Sequence, residues 1–589
     1  MNHSSPTKQD RKIPLWGWLL ILVVLVAPPH MIGIDKFATI DEPWWVISGS
    51  NYYYALTHGD FKNTIYDYHP AVTTTWVVTG GILTVFPEYR GFGQGYFDVR
   101  KPNFDDFLRE HGQRTLDLLR NSRIIQTVLL IGLAALLFFL LQILLPPAAV
   151  LAAVVLAFDA PFFLGHSRLL NHEGMLTMFV LVSLAAFLVY LRAGRKLVYL
   201  LISGAAFGLA QLTKSSSIVV IGPAGLMLFI GLFERASGKS WMLRLLDAVK
   251  LMVIWLVSAA VVYVALWPGM WVAPGRMLYE VYGNAFSYAF QGARLDVTGN
   301  LEPSAFSLDA DLSGLGLYLD RLLLRSTPLA WVGWLLLIPA LISQKARGSM
   351  RMLSGYLILA AALFILIFGL AKGRDSPHYI LVSFFSLDLL AGLGWASALS
   401  WLAERWRSRG TGWVFGALLA ALFLAQIASG WLKFPYYYTY SNPVLSSFRP
   451  GSGTGYGEGL DQAAEYLSRK QDSEGLRVFA YDGMGPFSYF FPGKVEVMKK
   501  AYFWDDGLPD IVRGMRWSEY VVVYAVVQDH LPECASFLAA LAGVKPERVI
   551  SLDGVEYVRI YRSKDIPESV YDDLAVSRQT QPQGQAQPR

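Results

Sequence analysis

The chain of 589 residues holds a single cysteine, Cys534, and only 16% of its residues are charged. One thiol excludes an intrachain disulfide and any cysteine-based zinc site. The shortage of charge excludes a string of ordinary soluble domains, in which about a quarter of residues are charged, although length alone would suggest several. The net charge of +5 is small and sits in short clusters, a pattern that speaks for membrane topology and against nucleic-acid binding. Also missing are an internal repeat and a small-x-small cleavage pattern before Asp41. The glycine-rich run Gly455-Tyr-Gly-Glu-Gly459 lacks a Lys-Ser/Thr ending, so it is no nucleotide loop.

What the chain has in excess is apolar: 54% hydrophobic residues and a mean hydropathy of +0.38. Runs able to cross a hydrocarbon core recur at 15–32, 124–145, 148–164, 175–191, 197–212, 218–233, 248–267, 329–342, 353–371, 379–399 and 413–431, which makes about eleven predicted spans. Basic residues gather at Lys8, Arg11 and Lys12, in Arg192-Ala-Gly-Arg-Lys196, and within 234–244, 344–351 and 404–409. With a cytoplasmic N-terminus every one of these clusters falls inside, as the positive-inside rule requires. The first run therefore reads as a retained helix of a multi-pass plasma (inner) membrane protein. An odd number of spans places the C-terminal region outside.

Three outer pieces follow from that topology. Residues 33–122 contain two apolar-aromatic stretches, 43–56 and 71–85, expected as amphipathic helices in the membrane interface, the first capped by Asp41 with Pro43 in its first turn. Residues 268–325, rich in Trp, Tyr and Gly, are expected to rest at headgroup level. Beyond 433, Leu460, Ala463, Ala464 and Leu467 recur at helical spacing. The β-rich segments 477–481 and 520–527 follow, then a hairpin signal, Asp553-Gly554, between 549–552 and 555–561. The predicted architecture is an α-helical polytopic membrane unit over 1–432, a small extracytoplasmic α/β domain over 433–576, and a disordered Gln- and Pro-rich tail over 577–589.

Five stretches carry candidate chemistry. Thr39-Ile-Asp-Glu-Pro-Trp-Trp45 sets Asp41 and Glu42 at the mouth of the first span, where a carboxylate pair is costly if it enters lipid. Tyr66-Asp-Tyr-His-Pro70 adds Tyr66 and also His69, which is placed to meet an anionic headgroup. His166-Ser-Arg-Leu-Leu-Asn-His-Glu173 supplies Arg168, His172 and Glu173, and Thr213-Lys-Ser-Ser-Ser217 supplies Lys214. Lys372-Gly-Arg-Asp-Ser-Pro-His-Tyr379 supplies Arg374 and His378. Taken singly, each reads equally well as a cap, a snorkelling cation or an interfacial histidine. Together they fall on one face of the predicted topology, which scattered structural charges would not do. The His and carboxylate residues show no metal-ligand spacing, so neither a metal nor another cofactor is expected.

In their order, these motifs resemble the GT-C glycosyltransferases, in particular the protein O-mannosyltransferase and aminoarabinose-transferase group, across the whole membrane part. Asp41-Glu42 follows the first span like that family's acidic pair, and Tyr68-His69-Pro70 is similar to its basic-residue-then-proline motif, which contacts the donor phosphate. Ser167-Arg168-Leu-Leu-Asn-His-Glu173 resembles its Arg-plus-acid helix start, with Glu173 where Asp is usual. Arg374-Asp-Ser-Pro-His378-Tyr379 resembles its Arg-Tyr helix entry, with His378 in place of the Arg. The resemblance implies transfer of a sugar, with inversion, from a polyprenyl-phosphate-linked donor to an extracytoplasmic hydroxyl on a protein, lipid or glycan. It implies Asp41 as general base with Glu42 beside it, and His69, Lys214, Arg374 and His378 on the donor phosphate. Arg168, His172, Glu173 and Tyr66 would then serve the acceptor side. A transporter or flippase is the rival reading. It would favour midplane polar residues and paired inverted halves, and the sequence displays neither. A non-catalytic scaffold would not need such a cluster.

Overall fold

The computed structural model describes residues 13–233, 240–292, 294–299, 312–343, 348–372, 376–405, 412–448, 455–481, 483–498, 508–526 and 537–576. Among them, seven helices are long and apolar enough to cross a membrane: Thr115–Leu141, Glu173–Arg192, Ser215–Leu232, Trp241–Ala265, Gly348–Leu370, Pro377–Arg405 and Trp413–Trp431. Two bent pairs raise the number to nine if each counts as one span. The protein is thus a multi-span helical membrane protein. The runs expected at 15–32 and 197–212 form helices of 17 residues each, Leu15–Met31 and Leu197–Thr213.

The runs expected at 148–164 and 329–342 are not straight spans. Pro147–Phe158 and Pro161–Ser167 meet at 66°, and Ser313–Arg325 and Pro328–Ile342 meet at 105°. Each break falls just before a proline, which lacks an N–H and drives the residue ahead of it into extended backbone. Ala160 (ψ 128°) and Thr327 (ψ 154°) show that conformation. The centre of the bundle is held by close backbone approach at small residues. A Cβ on Gly392 would lie 2.4 Å from the Ala153 Cα, and one on Gly394 would lie 2.0 Å from the Gly333 carbonyl.

In residues 33–122, the first piece expected to lie outside, Glu42–Thr57 and Val72–Val85 are helices as expected, but they are enclosed on most sides and do not present two distinct faces. They press together where Gly49 meets Val78. Asp41 occupies the cap position without a capping side-chain bond. Glu42 does that work instead, accepting the Thr39 N–H at 2.8 Å, because a first-turn carboxylate reaches the orphan amide just ahead of the helix. The second outer piece leans on the first: Trp267 Nε1 donates to the Thr64 carbonyl and Trp76 Nε1 to the Leu266 carbonyl.

The C-terminal part has its own core beneath a five-stranded sheet. Strands β1 (Arg477–Tyr481), β2 (Lys494–Met498), β3 (Tyr520–Tyr524), β4 (Arg548–Leu552) and β5 (Val555–Arg562) lie in the order β2-β1-β3-β5-β4. β1 runs parallel to both its neighbours, and the β3–β5 and β4–β5 pairs are antiparallel. The expected hairpin forms, with Asp553 and Gly554 both at positive φ (51° and 81°), the geometry of a two-residue turn between twisted strands. Helix Leu460–Ser468 buries Leu460, Ala463, Ala464 and Leu467 against the sheet, as their spacing predicts. The 577–589 tail and Cys534 lie outside the described residues.

Candidate active site

The site begins at two adjacent carboxylates with different surroundings. Glu42 is buried and receives five donors. Arg123 Nε and the Leu170 N–H reach its Oε1, each at 2.7 Å; Arg123 Nη2, the Thr39 N–H and the Thr39 hydroxyl reach its Oε2. Arg123 is also buried and spends its remaining nitrogen on the Ile34 and Phe37 carbonyls. The forked guanidinium thereby ties the helix Thr115–Leu141 to the loop that carries the acidic pair, a bidentate geometry with little freedom left. Asp41, one residue earlier, is exposed at the mouth and accepts the Tyr456 hydroxyl on Oδ2 at 2.6 Å.

A second group gathers where Glu173–Arg192 starts and Leu197–Thr213 ends. Glu173 is buried at the positive end of its helix and Lys214 is buried at the negative end of the other, each the charge a helix terminus favours. Lys214 Nζ donates to Glu173 Oε1, and its ammonium also lies 4.5 Å from the centre of the Tyr379 ring and 5.6 Å from that of Phe368. His172 Nε2 stands 3.3 Å from the same Glu173 oxygen. The other nitrogen of the buried His172 ring, Nδ1, has no hydrogen-bond partner among the described residues. Trp45 meets the His172 ring edge-on at 5.0 Å, and the His69 ring is also 5.0 Å away.

His378 joins from the entry to the late span. Its ring is 5.5 Å from that of His166 and 6.2 Å from that of Tyr456. His69, His172, Glu173 and Lys214 thus form one buried, connected group, and His378 lies beside Tyr456, which donates to Asp41. Arg168 plays a different part: it donates to the Pro29 and Ile32 carbonyls (2.8 and 2.7 Å) and lies over the Tyr437 ring. Pro29 lies in the last turn of the first helix and Ile32 at its C-cap, where carbonyls have no donor within the helix. Tyr66 packs into a satellite cluster with Tyr52, Trp267 and Met277. Arg374 lies outside the described residues. No group of three or more His, Cys, Asp or Glu among the described residues is arranged to hold a metal ion.

Sequence reasoning passed over Arg123, Tyr456 and His166 as site residues. Arg123 stands between the piece 33–122 and the apolar run 124–145, outside every quoted motif. His166 stood within a quoted motif. Tyr456 stood in a glycine-rich run dismissed as a nucleotide loop.

Residues 117–266 match the family described as dolichyl-phosphate-mannose-protein mannosyltransferase. The matched stretch contains Arg123, Arg168, His172, Glu173 and Lys214. By that match the protein is a membrane glycosyltransferase. No curated protein matches the chain. Solved structures to which it is similar include ArnT from Cupriavidus metallidurans bound to undecaprenyl phosphate, at 14% identity over 94% of this chain and 99% of that one (TM-score 0.47). The S. cerevisiae protein O-mannosyltransferase Pmt1-Pmt2 complex bound to the sugar donor is similar at 14% identity over 51% and 38% (TM-score 0.35). The Archaeoglobus fulgidus oligosaccharyltransferase in the apo form is similar at 12% identity over 91% and 72% (TM-score 0.41).

Proposed function

We propose that the protein moves a sugar from a polyprenyl-phosphate-linked donor to an acceptor hydroxyl outside the membrane, with Asp41 as general base. The observation that carries this is the division between neighbours: Glu42 is saturated by five donors, while Asp41 stands exposed at the mouth beside the titratable cluster. The family match supplies the donor class, since its members are described as acting on a polyprenyl-type phosphate sugar.

In the reaction, Asp41 takes the proton of the acceptor hydroxyl as its oxygen attacks the anomeric carbon, and the bond to the lipid phosphate breaks on the opposite side. The configuration inverts. The leaving phosphate already carries its charge well, so no strong general acid is required; cations that meet it are. His69, Lys214 and His378 serve there together with Arg374. His172 and Glu173 beside them serve the acceptor side, and Arg168 and Tyr66 belong to that side too. The membrane unit, 1–432, holds the donor; the unit over 433–576 covers the mouth from the extracytoplasmic side of the plasma (inner) membrane. The acceptor is a protein, lipid or glycan hydroxyl.

The test is sugar transfer by the purified protein in lipid, fed a panel of radiolabelled polyprenyl-phosphate sugars, comparing wild type with Asp41→Asn. Transfer, or slow donor hydrolysis, that vanishes in a folded variant is the expected result. Activity surviving in the variant moves the base elsewhere. A product with retained anomeric configuration rules out the direct displacement.

A further inference from the structure

The glycine-rich run that no nucleotide explains has a structural purpose at the site. Gly455, Gly457 and Gly459 all hold positive φ (69°, 109° and 84°), a backbone that only glycine adopts without strain. Between them Glu458 is fully buried and accepts from the Tyr524 hydroxyl and from the Tyr456 N–H (2.8 Å). The Gly457 N–H donates back to the Tyr524 hydroxyl at 2.8 Å. The run is thus a tight strap pinned to β3. Its outer edge pairs with the acidic loop, where the Ile40 N–H donates to the Tyr456 carbonyl at 3.3 Å. Close approach fixes the same seam from both sides: a Cβ on Gly457 would lie 2.7 Å from Pro486, and one on Gly485 2.5 Å from Pro43. Everything about the strap delivers one side chain, Tyr456, whose hydroxyl donates to Asp41 Oδ2 at 2.6 Å.

We propose that Tyr456, brought in by the C-terminal unit, is the positioning residue of the base: its hydroxyl holds Asp41 Oδ2 and so orients the carboxylate for the acceptor. This rests on the reading of Asp41 as base. A carboxylate on a loop turns freely about two torsions, and a single well-placed donor removes most of that freedom. A donor to the charged form also holds a carboxylate's pKa down, so Tyr456 sets the pH at which the base becomes available. Among the described residues, the titratable groups around the pair include Glu42 next in the chain, Tyr438 and His378 at 5.6 and 6.2 Å between rings, and Tyr379 and Glu173 on the facing elements. The C-terminal unit therefore completes the catalytic centre.

The experiment uses the full chain in lipid with a polyprenyl-phosphate sugar that the wild type turns over, and reads kcat/KM against pH. Tyr456→Phe is expected to lower kcat about tenfold, the scale of one lost positioning contact, with donor binding within about twofold of wild type. It should also move the acid limb of the profile to higher pH, because the carboxylate loses a donor. Incorporation of 3-fluorotyrosine at position 456 keeps the shape and sharpens the donor, so it should move the limb the other way. A limb unmoved in both proteins overturns the inference while leaving Asp41 as base. Activity that survives Asp41→Asn overturns it too, by removing the base it positions. No transfer by wild type from any donor overturns both readings.

Discussion

Arg123 grips Glu42 through two nitrogens in the interior of the protein, and with the same side chain it holds the Ile34 and Phe37 carbonyls of the loop leading to Asp41. The pair is a strut for the loop that carries Asp41. Removing one partner of a buried ion pair leaves an uncompensated charge, a loss of about 3–5 kcal/mol. Arg123→Met should therefore lower stability by about that amount and lower transfer with it, and Glu42→Gln, which leaves the buried Arg123 charge unpaired and turns an NH2 toward the donors of one carboxylate oxygen, should lose a similar amount. Thermal unfolding of the detergent-purified variants checks this. Equal tolerance of both changes would mean the pair holds nothing.

The Lys214–Glu173 pair needs a different test, because it unites two candidate roles in one contact. If it only ties helices together, replacing both residues with apolar ones of similar size restores what a single replacement loses. If Lys214 serves the donor phosphate, Lys214→Met/Glu173→Leu regains stability but leaves donor affinity at least about tenfold weaker, since one lost charge contact is worth well over 1 kcal/mol in a dry site. The second outcome is expected. Binding of a labelled polyprenyl-phosphate sugar, measured beside unfolding temperature, separates the two.

The bundle was legible in the sequence because apolar length is a local property: all the expected runs are helical, and Trp413–Trp431 ends where its apolar run ends. The bends at Pro161 and Pro328 were not read, since a hydropathy count passes through a proline that the backbone cannot. Asp553-Gly554 announced its hairpin because few residue pairs accept positive φ twice. β2 stayed hidden: Lys494 and Glu496 alternate with valines in a short edge strand, a pattern that solvent-exposed loops share. At the site, residue types were legible and partners were not. Glu42 finds Arg123 81 positions away, and Asp41 finds Tyr456 415 positions away. No periodicity reports a contact of that range.

A pH dependence of stability follows from Asp461. Its carboxyl accepts the Tyr436 hydroxyl at 2.6 Å, joining the linker after the last span to helix Leu460–Ser468. Burial pushes it up from 3.8 to about 7. The folded state then binds this proton more tightly than the unfolded one, so its contribution to stability is greatest below about pH 4 and is lost as pH rises through about 7. The unfolding temperature of wild type should fall across that window relative to Asp461→Asn, which has no proton to lose. Parallel curves for the two proteins would assign the titration to other groups.

The seam between the two units offers the last test. From helix Asn103–Glu110, Arg109 sends Nη2 to the Ser488 and Phe491 carbonyls (2.6 and 3.1 Å) and Nη1 towards those of Gly493 and Pro492 (3.3 and 3.4 Å). One guanidinium thus gathers a whole turn of the C-terminal unit against the first outer piece, and charged donors of this kind contribute about 1.5–3 kcal/mol. Among the described residues Arg109 makes no hydrogen bond or ion pair with His69, His172, Glu173, Lys214 or His378, so on the proposed reading Arg109→Ala should loosen the C-terminal unit and leave the proposed donor site unchanged. Limited proteolysis should cut the C-terminal unit faster, transfer should fall several-fold, and donor binding should stay near wild type. If donor binding fell in step with transfer, the C-terminal unit would be part of the donor site itself, and its part in the reaction would begin before the acceptor arrives.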